Sequence, residues 1–140
     1  MIEIVKFNSH NDVLYRQALE IRKTVFIDEQ RVPVELEVEN EEQATYYLML
    51  LHGKAIGTAR RRDTAKGIKL ERFAVLPGYR NKAYGTSMLE EVLEDLRQSN
   101  KPVYLHSQIN AVKYYERQGF VRQGEIFEEA GILHYTMVLQ

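Results

Sequence analysis

The hydrophobic period of the chain changes abruptly at Pro77-Gly78, and few folds accommodate such a change. Upstream, Lys69 to Leu76 alternates as a strand does, with Glu71, Phe73 and Val75 expected on one face and Leu70, Arg72, Ala74 and Leu76 on the other. Downstream, Met88, Leu89, Val92, Leu93 and Leu96 trace an apolar stripe at helical spacing. A strand that feeds a helix through a short loop leaves the first backbone N–H groups of the helix unpaired and facing one point. Ala83 and Gly85 are small, and Arg80 and Lys82 are positive. Alone, the segment reads either as an anion site or as an ordinary strand-to-helix turn.

The remaining chain supplies the other elements of a mixed α/β domain. Ile2, Ile4 and Phe7 open a strand, Asn8 to Asp12 offer helix caps, and Leu14, Ala18, Ile21 and Val25 predict an amphipathic helix to about Phe26. The acidic stretch that contains Pro33 follows as a loop or a short second helix. Tyr46 to Leu51 reads as a buried strand, His52-Gly53-Lys54 as a tight turn and Ala55 to Arg61 as the antiparallel partner, with a second turn at Lys66-Gly67. After the long helix come a strand at Val103 to His106, a short helix at Ala111 to Arg117, a C-cap at Gly119, a strand from Phe120 and a last strand over Ile132 to Leu139. No repeat or linker divides residues 1–140, so one domain is expected.

Charge and composition exclude several functions. With 19 basic and 20 acidic side chains the net charge is −1, so no global positive field exists to hold a nucleic-acid backbone. Asp28, Glu29, Glu35, Glu37, Glu39, Glu41 and Glu42 gather early, and Arg60, Arg61, Arg62, Lys66, Lys69, Arg72, Arg80 and Lys82 later. This asymmetry suits a ligand with an anionic end, or is solvated surface charge. The absence of cysteine excludes disulfides, thiolate metal sites and a cysteine nucleophile, and suits a reducing cytoplasm. No apolar stretch approaches the roughly 20 residues of a membrane helix, so a soluble, cytoplasmic chain without a membrane partner is expected.

Arg80-Asn81-Lys82-Ala83-Tyr84-Gly85-Thr86 resembles the acetyl-CoA pyrophosphate loop, Q/R-x-x-G-x-G/A, of the GCN5-related N-acetyltransferases (GNAT). Gln108 to Phe120, with Ala111, Tyr115 and Gly119-Phe120, is similar to the family's N-x-x-A-x-x-F-Y-x-x-x-G-F pattern, with Gln108 and Tyr114 as departures. Ile21 to Pro33 and Ala130 to Met137 resemble the small bacterial branch containing ElaA and YjcF. The resemblance implies a mixed, mostly antiparallel sheet of about six or seven strands with about four helices, splayed at its central parallel strands. It also implies acetyl-CoA as co-substrate, no metal, a small-molecule or protein amine as acceptor, and a homodimer as one assembly open to the chain. Ala83, where a glycine is usual, is expected to avoid a strongly left-handed backbone.

The resemblance carries roles to particular residues. The backbone of Phe73, Ala74 and Val75 would pair with the pantetheine arm, one N–H polarising the thioester carbonyl. Arg80 to Thr86 and Gln108 would bind the remainder of acetyl-CoA. Glu71 matches a position that bears the general base in some relatives, an ion pair being its structural alternative. His106 and His134 are rival bases or packed structural residues. Tyr115 matches the phenol that protonates the departing thiolate, whereas Tyr114 reads as packing. Direct acetyl transfer to a primary amine is expected, without an acetyl-enzyme. A non-catalytic acyl-CoA-binding module on the same fold is the alternative.

Overall fold

The computed structural model describes residues 2–33 and 43–140; residues 34–42, including the acidic run Glu35 to Glu42 and most of the expected loop or short helix there, lie outside the described residues. One seven-stranded sheet organises the fold, in the order β1-β2-β3-β4-β5-β7-β6. Its strands are β1 (Ile2–Asn8), β2 (Ala44–Leu51), β3 (Lys54–Thr64), β4 (Gly67–Val75), β5 (Val103–Gln108), β6 (Phe120–Glu129) and β7 (Ile132–Leu139). Every neighbouring pair is antiparallel except β4 and β5. The β2–β3 turn is made by His52 and Gly53, both left-handed (φ 50° and 82°), as a two-residue hairpin with the natural strand twist requires.

Helices cover both faces. In α1 (Asp12–Arg22) Asn11 caps the first turn by accepting from the Leu14 N–H at 3.2 Å, and Ala18 and Ile21 pack with Phe7, Tyr46 and Leu48. On the other face, Met88, Leu89 and Val92 of α2 (Tyr84–Asp95) and the following Leu96 pack with Tyr47, Met49, Ile56, Ile68 and Leu70. Strand β2 feeds both cores, which explains its unbroken apolar run. At the end of α2, Asp95 accepts from Tyr47 Oη at 2.5 Å and pairs with Arg61 and Lys6, tying the helix to three strands.

Three features differ from expectation. Three α-helices are present among the described residues rather than about four, the third being α3 (Val112–Arg117) after one 3-10 turn. The α-helical part of α1 ends at Arg22, and the chain widens into a π-helical segment, Lys23–Glu29. Thr24, Val25 and Ile27 are β-branched and crowd a tight helix, and Thr24 Oγ1 bonds back to the Glu20 carbonyl. The third difference lies in β4. Thr58 faces Ala74 but Arg60 faces Glu71, so Arg72 and Phe73 together oppose Ala59. Arg72 is left-handed (φ 58°) and forms a β-bulge. The extra residue breaks the expected alternation: Phe73 packs with the core of Leu70, Ala74 turns to the core of α1, and Glu71 no longer shares a face with Phe73.

Gly67 opens β4 at φ 132°, where a Cβ would stand 2.3 Å from the Pro102 carbonyl oxygen. That oxygen accepts from the Ile68 N–H at 2.8 Å, at the start of the parallel pair. Gly67→Ala is therefore expected to lose more than about 1 kcal/mol, from both strain and clash, and to lower the urea midpoint clearly. An unchanged midpoint would show that the close approach is not needed.

Candidate active site

Parallel pairing between β4 and β5 lasts three residues, from Ile68 opposite Val103 to Leu70 opposite Leu105. Both strands continue, β4 to Val75 and β5 to Gln108, without pairing further. The sheet therefore splits, as expected, and the outer backbone edge of β4 from the bulge onward faces a cleft. Two recesses share Phe73 and Tyr115. The smaller, about 150 Å³, runs along Phe73, Ala74 and Val75 to Gly85 and Met88. The larger, about 330 Å³, is walled by Lys69, Glu71 and Arg72 on one side and by His106, Glu129 and His134 on the other.

Beyond the smaller recess, the loop after β4 reverses direction through left-handed residues. Asn81 has φ 63°, and Ala83, at the N-terminus of α2, has φ 65° and ψ 12°. The expectation that Ala83 would avoid this region is overturned. The loop needs the turn there, and alanine, with the smallest side chain after glycine, bears a cost of roughly 1–2 kcal/mol. No side chain caps the first turn of α2. Gly85 has ordinary helical space around it: a Cβ would find only Val75 Cγ2, at 3.9 Å. A glycine in a helix costs about 1 kcal/mol relative to alanine. Here the folded chain gains no packing from it, and what it provides is an open approach to the N-terminal N–H groups, which fits a phosphate. Asn81, Lys82 and Ala83 are exposed, while Tyr84, Gly85 and Thr86 are half-buried.

Arg80 crosses this mouth. Its Nε donates to the Val75 carbonyl at 2.8 Å and its two terminal nitrogens grip Glu29 at 3.0 and 2.7 Å. That contact holds the Glu29 carboxyl below its usual range. Thr86 Oγ1 shares a 2.9 Å hydrogen bond with Tyr114 Oη, so Tyr114 joins α3 to α2. Tyr115 packs edge-on against Phe120 and Tyr114 where the recesses meet. Burial, with Tyr114 beside it, pushes its phenol up to about 12, so the O–H keeps its proton and remains a donor.

Glu71 is held by cations. Its side chain is 7% exposed; Arg60 and Arg62 reach Oε1 at 3.0 and 2.6 Å, and Lys69 and Arg72 stand 3.4 and 4.0 Å from Oε2. Burial would raise this carboxyl, but the charges of Arg60 and Lys69, the Arg62 hydrogen bond and Arg72 outweigh it and bring it to about 2. Of the two roles open to Glu71, the ion pair is thus the one it makes in the folded chain.

On the opposite wall, His134 Nδ1 lies 2.7 Å from the Ile132 carbonyl oxygen. A carbonyl only accepts, so Nδ1 carries the proton and Nε2 of the neutral ring is an acceptor, 4.0 Å from Glu129 Oε1. His106 Nδ1 lies 3.1 Å from Glu129 Oε2. The His106 hydrogen bond, followed by the charge of Lys69, holds Glu129 below the usual carboxylate range despite burial. Gln108 Nε2 donates to Gln30 Oε1 at 2.9 Å, so the π-helical segment closes one end of the larger recess.

The profile of the acetyltransferase (GNAT) domain family matches residues 10–140. The chain belongs to this family. Two Bacillus subtilis proteins are similar: YyaT, 32% identical over 86% of this chain and 85% of its own, and the N-acetyltransferase YjcF, 29% identical over 91% and 94%. Escherichia coli ElaA superposes with a TM-score of 0.89 at 23% identity, covering all of both chains. A GNAT acetyltransferase from Elizabethkingia anophelis, solved with acetyl-CoA bound, has a TM-score of 0.70 at 16% identity over 98% of this chain and 94% of its own. These two structures establish the shared fold.

The GNAT domain gathers Glu71, Phe73, Gln108, Tyr115, His106 and His134 around the larger recess, and Phe73, Ala74, Val75, Gly85 and Tyr115 around the smaller. The sequence reading missed Glu129, Lys69 and Gln30 as cleft residues. The only signal for Glu129 is its position just before Ala130-Gly131, a left-handed pair (φ 52° and 78°) that turns the β6–β7 hairpin.

Because its folded value lies below the unfolded 4.5, Glu71 stabilises the protein above pH 4.5, and the contribution is lost as pH falls toward about 2. The span corresponds to a few kcal/mol. Glu71→Gln is expected to be markedly less stable than wild type at pH 7, with the gap narrowing between pH 4.5 and 2 in urea titrations. A pH-independent gap would mean that shape, rather than charge, is what Glu71 supplies.

Proposed function

We propose that the chain moves an acetyl group from acetyl-CoA directly to a primary amine. The observation that carries this reading is the continuity of the cleft. The unpaired edge of β4 at Phe73–Val75 joins the open helix N-terminus at Gly85 to a recess lined by Tyr115 and His134. N–H groups of Gly85 and Thr86 would hold the pyrophosphate, with Lys82 near and Arg80 released from Glu29 to assist. The free backbone edge of β4 would pair with the pantetheine arm and, through one N–H, polarise the thioester carbonyl.

The acceptor enters the larger recess as an ammonium. His134 Nε2 takes its proton, and Glu129 stabilises the imidazolium that results. The amine nitrogen then bonds to the thioester carbon. As the C–S bond breaks, the sulfur takes the proton of the Tyr115 hydroxyl, which is restored from the proton released by the amine. With no cysteine in the chain, an acetyl-cysteine intermediate is excluded. Glu71 serves the site by fixing the strand beside the bulge rather than by accepting the proton.

Gly85→Asp tests the cofactor end. The structure has room for the side chain, and an acidic residue suits the first turn of a helix, so the fold should keep its stability. Acetyl-CoA affinity by calorimetry should fall by more than about tenfold, since charge and bulk meet the pyrophosphate. Full affinity would displace the cofactor from this loop.

Release of CoA in the presence of an amine panel tests the reaction. Tyr115→Phe should keep acetyl-CoA affinity and lower kcat by about 100-fold to 10,000-fold. His134→Gln should abolish the acidic limb of the kcat/KM profile, whereas Glu71→Gln should retain it. Wild-type kcat in Tyr115→Phe, with chemistry rate-limiting, would remove the phenol from the mechanism. Acetyl-CoA binding without CoA release for any amine would leave an acyl-CoA-binding module.

A further inference from the structure

The register of the last three strands puts two histidines and a carboxylate on one face of the sheet. His106 of β5 stands opposite Thr136 of β7, and His134 of β7 stands opposite Phe127 of β6. Residues two apart on a strand share a face, so His134 lies on the side of Thr136 and Glu129 on the side of Phe127. The Phe127 ring stacks on His134 at 5.8 Å and meets His106 edge-on at 4.9 Å. Glu129 starts from the edge strand β6 and extends over β7 to reach His106, whose backbone is two interstrand spacings away, roughly 10 Å.

Little besides His106 keeps Glu129 in that extended position. Its side chain is 44% exposed, and among the described residues His106 is its one hydrogen-bond partner, at 3.1 Å. His134 Nε2 stands at 4.0 Å, beyond hydrogen-bond distance, and Lys69 acts on the carboxylate through its charge alone. A half-exposed glutamate samples several rotamers unless a contact selects one. The contact here is made by the Nδ1–H of His106, because an ionised carboxylate only accepts. The His106 ring is itself fixed between Phe127 and Tyr104, the latter 6.0 Å away.

Resting on the acetyltransferase reading, we propose that His106 is a positioning residue of the acceptor site. By donating from Nδ1 it holds Glu129 over β7, so that the carboxylate stays beside His134 and meets the incoming ammonium there. Its part is to select one rotamer of Glu129, and proton acceptance stays with His134. Without the donor, Glu129 turns toward solvent, and both the attraction of the amine and the support of the imidazolium are lost.

The test uses His106→Phe, which fills the same aromatic cluster without a donor, and His106→Asn, whose side-chain amide stands where Nδ1 stood. In CoA release with a reacting amine, His106→Phe should lower kcat/KM for the amine by about 10-fold to 100-fold, as one charge-assisted hydrogen bond supplies. The KM for acetyl-CoA should not change. His106→Asn should recover most of the loss, and the acidic limb of the profile should persist in both variants. Wild-type kcat/KM in folded His106→Phe, equal impairment of both variants, or loss of the limb in His106→Asn overturns the proposal.

A second readout needs no turnover: the Glu129 carboxyl is titrated by carbon-detected NMR. Lys69 on β4, His106 on β5 and His134 on β7 are the charged or titratable groups that act on it, and the His106 hydrogen bond contributes most to holding it low. Its titration should move up toward the ordinary carboxylate range in His106→Phe and stay low in His106→Asn. Should acetyl-CoA bind and no amine react, the transferase reading fails and this comparison decides alone. That pattern upholds the hold on Glu129, and one common titration in all three proteins overturns it.

Discussion

The structure depends on where one strand pairing stops. Three residues of parallel ladder join β4 to β5, and a bulge at Arg72 then turns β4 away while it remains zipped to β3 through Ala74 and Val75. A backbone edge opened in this way has polar groups without a strand partner, and leaving them unmet in a dry interior would cost about 1–3 kcal/mol each. In a cleft they face water or a ligand instead. Glu71 is the residue before the bulge, and the cations that clamp it come from the strand it still pairs with, Arg60 and Arg62, and from its own strand, Lys69 and Arg72. The ion cluster therefore pins β4 at the point of divergence. Losing one partner from so buried a group is costly because the others are left in excess.

A second constraint acts across the opening. The π-helical segment after α1 ends in two consecutive polar contacts: Glu29 holds Arg80 of the loop, and the next residue, Gln30, holds Gln108 at the end of β5. The two arms of the split sheet are thereby tied to one strut. A regular α-helix would present these side chains with a different rotation, so the π-helical widening over Lys23–Glu29 sets where Glu29 and Gln30 point. The bidentate Arg80–Glu29 pair is exposed enough to be worth little in stability, so in the proposed complex exchanging Glu29 for a phosphate would cost little.

What was legible in the sequence is what repeats with a period or carries a marker residue. The stripe of α2, the His52-Gly53 hairpin, the last strand Ile132–Leu139 and the loop from Arg80 to Thr86 were all readable in this way. The bulge was not, because Arg72 adopts a left-handed backbone without a glycine or asparagine to announce it, and the face assignment of every residue after it shifted as a result. Ala83 misled for the same reason. The role of Glu71 turned on four cations, of which Lys69 and Arg72 are sequence neighbours but Arg60 and Arg62 arrive only through β3–β4 register. Glu129 reaches the site through a chain of pairings, β6 to β7 to β5, that no local pattern encodes.

Magnitude argues for the imidazole over Glu71 as the proton acceptor of the proposed reaction. An alkylammonium releases its proton with a pKa near 10.4, and a carboxyl held at about 2 lies some eight units below it. Proton transfer to Glu71 would thus be steeply uphill before any bond to carbon formed. The same four cations that make Glu71 a firm anchor would also repel an approaching ammonium. Glu129 is also held low, and in the proposed reaction it would attract the ammonium while His134 Nε2, with an open lone pair, would receive the proton. In that proposed reaction, separating attraction from proton acceptance onto two residues would let the carboxylate remain charged throughout, so that its field on the substrate would persist while the imidazole cycled.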